Sequence, residues 1–277
     1  MGEIASPKQA QGPRSQLLQG HVALITGASR GIGAATARLF AQHGAAVGVN
    51  YNASAARAQE VVASIKAHGG RAIAVQASVD DAQQIEAMVR QVEQELGPLD
   101  TLVMNAIAGN RTLDTSNEER SQALFVPFLE SNWQLYQQMV LRTLAGVYLP
   151  ARIVAPLMVE RKRGNLIAVS SLAARTTSER SSALASGKAG IDALMKVLAR
   201  ELGPHGVRVN VVAPGAVETE ASAPIIQGRK EIISQSLPLR RIAQPEDIAG
   251  AILLLALDEA GYLTGNYLSA GGGSYMP

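Results

Sequence analysis

Thr26-Gly27-Ala28-Ser29-Arg30-Gly31-Ile32-Gly33 is the stretch on which the reading of this chain turns. It closes an apolar β-branched run, His21–Thr26, and opens a helical pattern, Ile32–His43. Glycines in such a corner permit a tight turn. They also let backbone N–H groups approach a pyrophosphate, whose charge a helix N-terminus favours. Gly27, Ser29, Arg30, Gly31, Ile32 and Gly33 are therefore candidate binding residues for a dinucleotide.

Outward from this corner the pattern repeats. Ala46–Tyr51, Arg71–Gln76, Thr101–Asn105, Asn165–Val169 and Val207–Val212 read as further strands, apolar enough to be buried on both faces. Between them Ala53–His68, Ala82–Leu96, a segment from about Asn132 to Glu160, and Ser182–Leu202 read as helices. Gly44, Gly69, Gly97 and Gly203 stand where helices should end. Gln244–Leu257 reads as a last helix and Asn266–Ser269 as a last strand. Repeated βα units predict an α/β fold, a doubly wound parallel sheet in a single Rossmann-type domain spanning residues 18–277. Two long connections, Ile107–Glu130 and Gly215–Gln244, leave carboxyl ends of strands, the edge where such sheets bind ligands.

The end of the second strand distinguishes between dinucleotides. Enzymes for the unphosphorylated cofactor generally place an acid there to hold the ribose hydroxyls. Here the chain reads Asn50-Tyr51-Asn52, with no acid, and Arg30 offers a guanidinium to a 2′-phosphate. The expected cofactor is NADP(H).

Composition narrows the class. The 277 residues are 47% hydrophobic and 17% charged, which suits one globular domain. Aromatics are only 4%, so the core must be built from Ala, Val, Leu and Ile. The absence of cysteine excludes disulfides and thiolate metal sites and fits a cytoplasmic location. A net charge of +2 gives no basis for nucleic-acid binding. Arg161-Lys162-Arg163 falls at an expected helix C-terminus, where cations offset the dipole. No apolar run is read as long enough to span a bilayer, and residues 1–17 read as a flexible tail.

These marks together resemble the short-chain dehydrogenase/reductase family over nearly all of residues 18–277. They are the Thr26–Gly33 turn, Asn105-Ala106, Ser170-Ser171, Lys188-Ala189-Gly190, and Pro214-Gly215 with Thr219. The resemblance implies that Asn105 and Ala106 line the cofactor and that Val217 and Thr219, following Pro214-Gly215, hold its nicotinamide end. It also implies that Lys188 binds the ribose, and that Ser78 and Val79 belong to the cofactor set, with Ser78 touching adenine. Helices containing Ala145–Pro156 and Ser182–Leu202 would carry subunit contacts, so a homotetramer, or failing that a dimer, is expected.

The departures cluster around chemistry. By the same resemblance the catalytic positions are Thr143, where an asparagine is usual, Ser171, Leu184, where a tyrosine is usual, and Lys188. Ser181 fills the slot to which enoyl reductases of this fold often move their tyrosine, and none of the six tyrosines lies in this segment. Ile107 replaces a glycine after Asn105-Ala106, and Gly271 stands where an aspartate is common. A phenol beside a lysine is a good acid, worth about 10² to 10⁴ in rate, and leucine supplies none of it.

The expected activity is thus an NADPH-dependent reduction of a C=N, activated C=C or C=O bond in a small metabolite without the usual acid. The candidate substitute donors are Glu179, Arg180, Ser181, Ser182, Asn110, Arg111 and Tyr136. Glu179-Arg180 more simply reads as an exposed ion pair and Ser181-Ser182 as a helix cap. The alternatives are a non-redox cyclase or isomerase and a non-catalytic cofactor-binding scaffold, since a fold does not dictate its function.

Overall fold

Successive side chains of a strand point to opposite faces, and the first strand, β1 (Val22–Ile25), shows what that means here. Ala23 and Ile25 join one buried apolar cluster while Val22 and Leu24 join another. Both faces of the sheet are covered, as a parallel sheet requires. The computed structural model describes residues 16–108, 126–176 and 179–276. Of the expected tail 1–17 only Gln16 and Leu17 fall within that range; Gln16 accepts a turn hydrogen bond from Gln19 N.

Seven strands form one parallel sheet in the order β3-β2-β1-β4-β5-β6-β7. They are β2 (Ala46–Tyr51), β3 (Arg71–Gln76), β4 (Thr101–Met104), β5 (Gly164–Val169), β6 (Val207–Pro214) and β7 (Tyr267–Ala270) beside β1. On one face lie α1 (Gly31–Gln42), α2 (Ala55–Ala67) and α9 (Pro245–Ala256). The other carries α3 (Ala82–Leu96), α4 (Trp133–Arg161) and α6 (Ser182–Leu202). Short helices α7 (Ala223–Ile226) and α8 (Lys230–Ser236) sit in the long connection Gly215–Gln244, and α5 (Ala173–Thr176) follows β5. A few residues bound by sparse local contacts carry too weak a period to be seen in sequence.

Helix starts follow local chemistry. Asp81 accepts from Gln84 N at 3.1 Å, and Asn132 accepts from Gln134 N and Leu135 N at 2.9 and 3.3 Å. Gln244 and Asp247 form a reciprocal capping box ahead of α9, with Pro245 in its first turn.

Three expectations need correcting. Gly203 does not end α6 in the left-handed region: its φ is −53°, the chain continues as a 3-10 turn, and Gly206 with φ +75° makes the break. Ser181 occupies the N-cap position of α6 without a side-chain cap bond. Finally, α4 is by length and composition apolar enough to cross a bilayer. Its buried stripe, including Val147, Val154 and Met158, packs in the core cluster with α3 and α6. Arg161 at its end pairs with Glu93 through two nitrogens, at 2.6 and 2.9 Å, a more specific contact than the dipole.

Candidate active site

Because all strands are parallel, their carboxyl ends share one edge, and a cleft of about 560 Å³ opens there. Its floor is built by a buried knot between the ends of β1 and β4. Thr26 Oγ1 accepts from Asn105 N and Ala106 N at 3.0 and 3.1 Å. Asn105 Nδ2 returns bonds to Thr26 O and Gly27 O at 3.0 and 3.2 Å. The knot seats the glycine turn against Ala106. A Cβ on Gly27, whose φ is +64°, would lie 3.1 Å from the Ala106 Cβ.

The predicted residues do not all serve the cleft alike. Gly27, Ser29, Arg30, Gly31 and Ile32 line it, and so do Tyr51, Asn52, Ser78 and Val79. Asn105, Ala106, Pro214, Gly215, Val217 and Thr219 line it as well. Gly33 does not; it sits under the turn, where a Cβ would come 2.5 Å from Gly27 O. Asn50 lines the cleft, but its side chain is engaged by the protein. Its Oδ1 accepts from Gly27 N at 3.1 Å and its Nδ2 donates to Ala77 O at 3.0 Å, so it clasps the turn to the end of β3. Ser78 donates through its hydroxyl to Asp80 and through its backbone to Gln84 Oε1.

At the other end of the cleft lie Ser171, Leu184 and Lys188. Leu184 and Lys188 are four residues apart on α6 and so share a face. Lys188 is buried; its Nζ donates to Val169 O at 2.7 Å, and burial pushes its pKa down to about 8. Thr143 is not in the cleft. It is buried between α4 and α6 beside Gly187, with its hydroxyl donated to Met139 O at 2.8 Å.

None of the described substitutes for a tyrosine lines this end. Tyr136 Oη donates to Ser186 Oγ at 2.8 Å and its ring stacks on Trp133, while Arg180 and Ser182 border a separate small pocket. Glu179 is exposed and Ser181 buried outside the lining. Asn110 and Arg111 lie outside the described residues.

Sequence reasoning missed a polar network behind Ser171. Ser170 donates to Asp192 Oδ1 at 2.6 Å, and Arg175 Nε lies 3.6 Å from Asp192 Oδ2. The Arg175 guanidinium stacks on the Tyr267 ring at 4.8 Å, and Tyr267 Oη donates to Ser171 O at 3.4 Å. Burial raises the Asp192 pKa and pushes Tyr267 up to about 12. Asp192 follows Lys188 by one helical turn, the spacing that could have drawn attention to it. Also missed were Glu220, Ala221 and Ser222, which border the cleft after Thr219; Ser222 Oγ holds this segment by donating to Val217 O at 2.5 Å.

A family model described as enoyl-(acyl carrier protein) reductase matches residues 27–274. A 3-oxoacyl-[acyl-carrier-protein] reductase of Synechocystis is 37% identical over 260 residues, covering 94% of this chain and 98% of that protein. The chain belongs to the short-chain dehydrogenase/reductase family. The family's range is visible in a second relative, an L-rhamnose 1-dehydrogenase (NAD(P)(+)) of Sphingomonas, 37% identical over 94% of this chain and 98% of its own. A solved structure from Beutenbergia cavernae that holds NADP at low occupancy superposes with a TM-score of 0.81. It is 29% identical and is covered to 99%, against 95% of this chain. As a short-chain dehydrogenase/reductase the chain is an oxidoreductase using a nicotinamide cofactor. The close-packed glycine turn, which a Cβ at Gly27 or Gly33 would fill, fits that group.

Proposed function

We propose that this chain is an NADPH-dependent reductase of a C=N, activated C=C or C=O bond in a small metabolite, and that it works without a tyrosine acid. The observation that carries this is Leu184, an apolar side chain in the cleft wall beside Ser171 and Lys188. When bound, the reduced nicotinamide supplies a hydride. Gly27, Ser29 and Gly31 hold the pyrophosphate, Arg30 the 2′-phosphate, and Val217 and Thr219 the nicotinamide end. Lys188 binds the ribose.

The protein's remaining task is a proton or a dipole at the reacting atom. Ser171 places a hydroxyl there as a hydrogen-bond donor. Lys188 carries a proton at Nζ that it gives up more readily than an ordinary lysine, because its buried ammonium has a pKa of about 8. An iminium carbon arrives charged and needs no acid. A polarised C=C takes its proton later, from Lys188 or from water.

The small apolar residues of Ala145–Pro156 and Ser182–Leu202, with Tyr148 and Val197 exposed on the same helices, support a homotetramer or a dimer. Light scattering that found a monomer at micromolar concentration would remove that part of the reading.

The functional test is NADPH consumption with cyclic imines, enoyl thioesters and ketones, followed against pH. Turnover of one class is expected, falling above pH about 8 as Lys188 loses its proton if that class is the enoyl thioesters or ketones. Conversion of a substrate with no consumption of NADPH would instead favour a non-redox catalyst, and no conversion at all a scaffold.

A further inference from the structure

Two arginines from different elements converge on one carboxylate beside the stretch Asn50–Ser54. Arg57, in the first turn of α2, places Nη1 2.5 Å from Glu220 Oε2. Arg30, at the start of α1, places Nη1 3.7 Å from the same oxygen. Arg30 and Glu220 both line the cleft; Arg57 does not line it but reaches the same carboxylate. All three side chains are about half exposed, so the bridge is open to exchange with a competing anion.

We propose that Glu220 is an internal anion holding the Arg30–Arg57 pair in place of a 2′-phosphate, and that Arg57 is the second phosphate ligand. This rests on the NADPH reading given above. A phosphate monoester carries about −1.5 to −2 charges at neutral pH, against −1 for a carboxylate, and has three acceptor oxygens for two guanidinium forks. It therefore outcompetes Glu220, which like-charge repulsion then expels. A cofactor without the phosphate leaves Glu220 where it is. The exchange asks little of the backbone. Thr219 N donates to Ser222 Oγ at 2.9 Å and Ser222 Oγ to Val217 O, so the flanking segment is held while the Glu220 side chain swings away. Selectivity for the phosphorylated cofactor is thus set by a competition inside the protein as well as by Arg30.

The test is calorimetric titration of the whole chain with adenosine 2′,5′-bisphosphate and with 5′-AMP, which differ only in the 2′-phosphate. Glu220→Gln should tighten the bisphosphate by about two- to fivefold, the range of an exposed ion pair, and leave 5′-AMP unchanged. Arg57→Ala should weaken the bisphosphate by about tenfold and abolish the gain from Glu220→Gln in the double variant. A wild type that prefers the bisphosphate, with neither substitution moving it, overturns the competition and leaves the NADPH reading standing. A wild type without that preference, gaining it on Glu220→Gln, overturns the claim that the phosphate displaces Glu220, since the internal anion then prevails. If preference is absent from both, the competition and the NADPH reading fall together.

Discussion

The two ends of the cleft are built by different rules. At the glycine turn, polar side chains are locked into the protein: Thr26, Asn50 and Asn105 each hold backbone groups of neighbouring strands. At the Leu184 end the wall is apolar, and the polar groups facing it, Ser171 and Lys188, are backed by a network running through Ser170, Asp192, Arg175 and Tyr267. The first end is a cradle shaped by backbone and indifferent to what reacts. The second is where a single side chain decides the chemistry. On the reading proposed above, a change of one residue there alters the reaction and leaves the cradle intact.

The sharpest way to break the contrast is to attack the cradle. Thr26→Val removes the oxygen that accepts from both Asn105 N and Ala106 N and leaves two part-buried donors unpartnered, at roughly 1–3 kcal/mol each. A loss of about 2–6 kcal/mol in urea unfolding, with weakened cofactor binding, is expected. No change would mean that the knot is incidental.

Lys188 gives the next effect, and it has a sign. Folding lowers its pKa from 10.5 to about 8, so between those values the unfolded chain holds the proton and the folded chain does not. Stability from this group therefore rises with pH across the window and is lowest below about 8, the full difference being roughly 3 kcal/mol. Comparing urea unfolding of wild type and Lys188→Met from pH 7 to 10 isolates it. The Met variant should be the more stable at pH 7 and lose its advantage as pH rises. An advantage constant with pH would show that Lys188 titrates normally.

Chemistry at the apolar end comes third. Ser171→Ala should slow single-turnover reduction by about one to two powers of ten with little change in cofactor affinity, since one hydrogen-bond donor is removed. An equal loss in affinity would place Ser171 in the cradle instead. Leu184→Tyr should have the smallest effect, no gain in turnover of the native substrate and some loss from crowding. A large gain would identify a ketoreductase that had lost its acid and overturn the tyrosine-independent reading.

The alternation of apolar strands and helices by itself determined the parallel sheet, because a strand buried on both faces must be apolar throughout, as Val22–Ile25 is. It also determined the glycine turn, since few residue types tolerate φ near +60° at Gly27 and Gly31. The residues closing the cleft were legible where the chain passes from strand to loop, as at Asn105, Pro214 and Thr219. What only the tertiary structure decided were relations between residues far apart in sequence. Asn50, read as part of the cofactor site, is occupied in holding Gly27 and Ala77, and Thr143 is packed between helices away from the cleft. Tyr136 bonds to Ser186, two residues past Leu184 on the neighbouring helix, and Glu220 meets Arg57 across 163 residues. Periodicity reports which way a side chain faces within its own element. Partners drawn from another element are set by crossover and packing, and no local spacing records them.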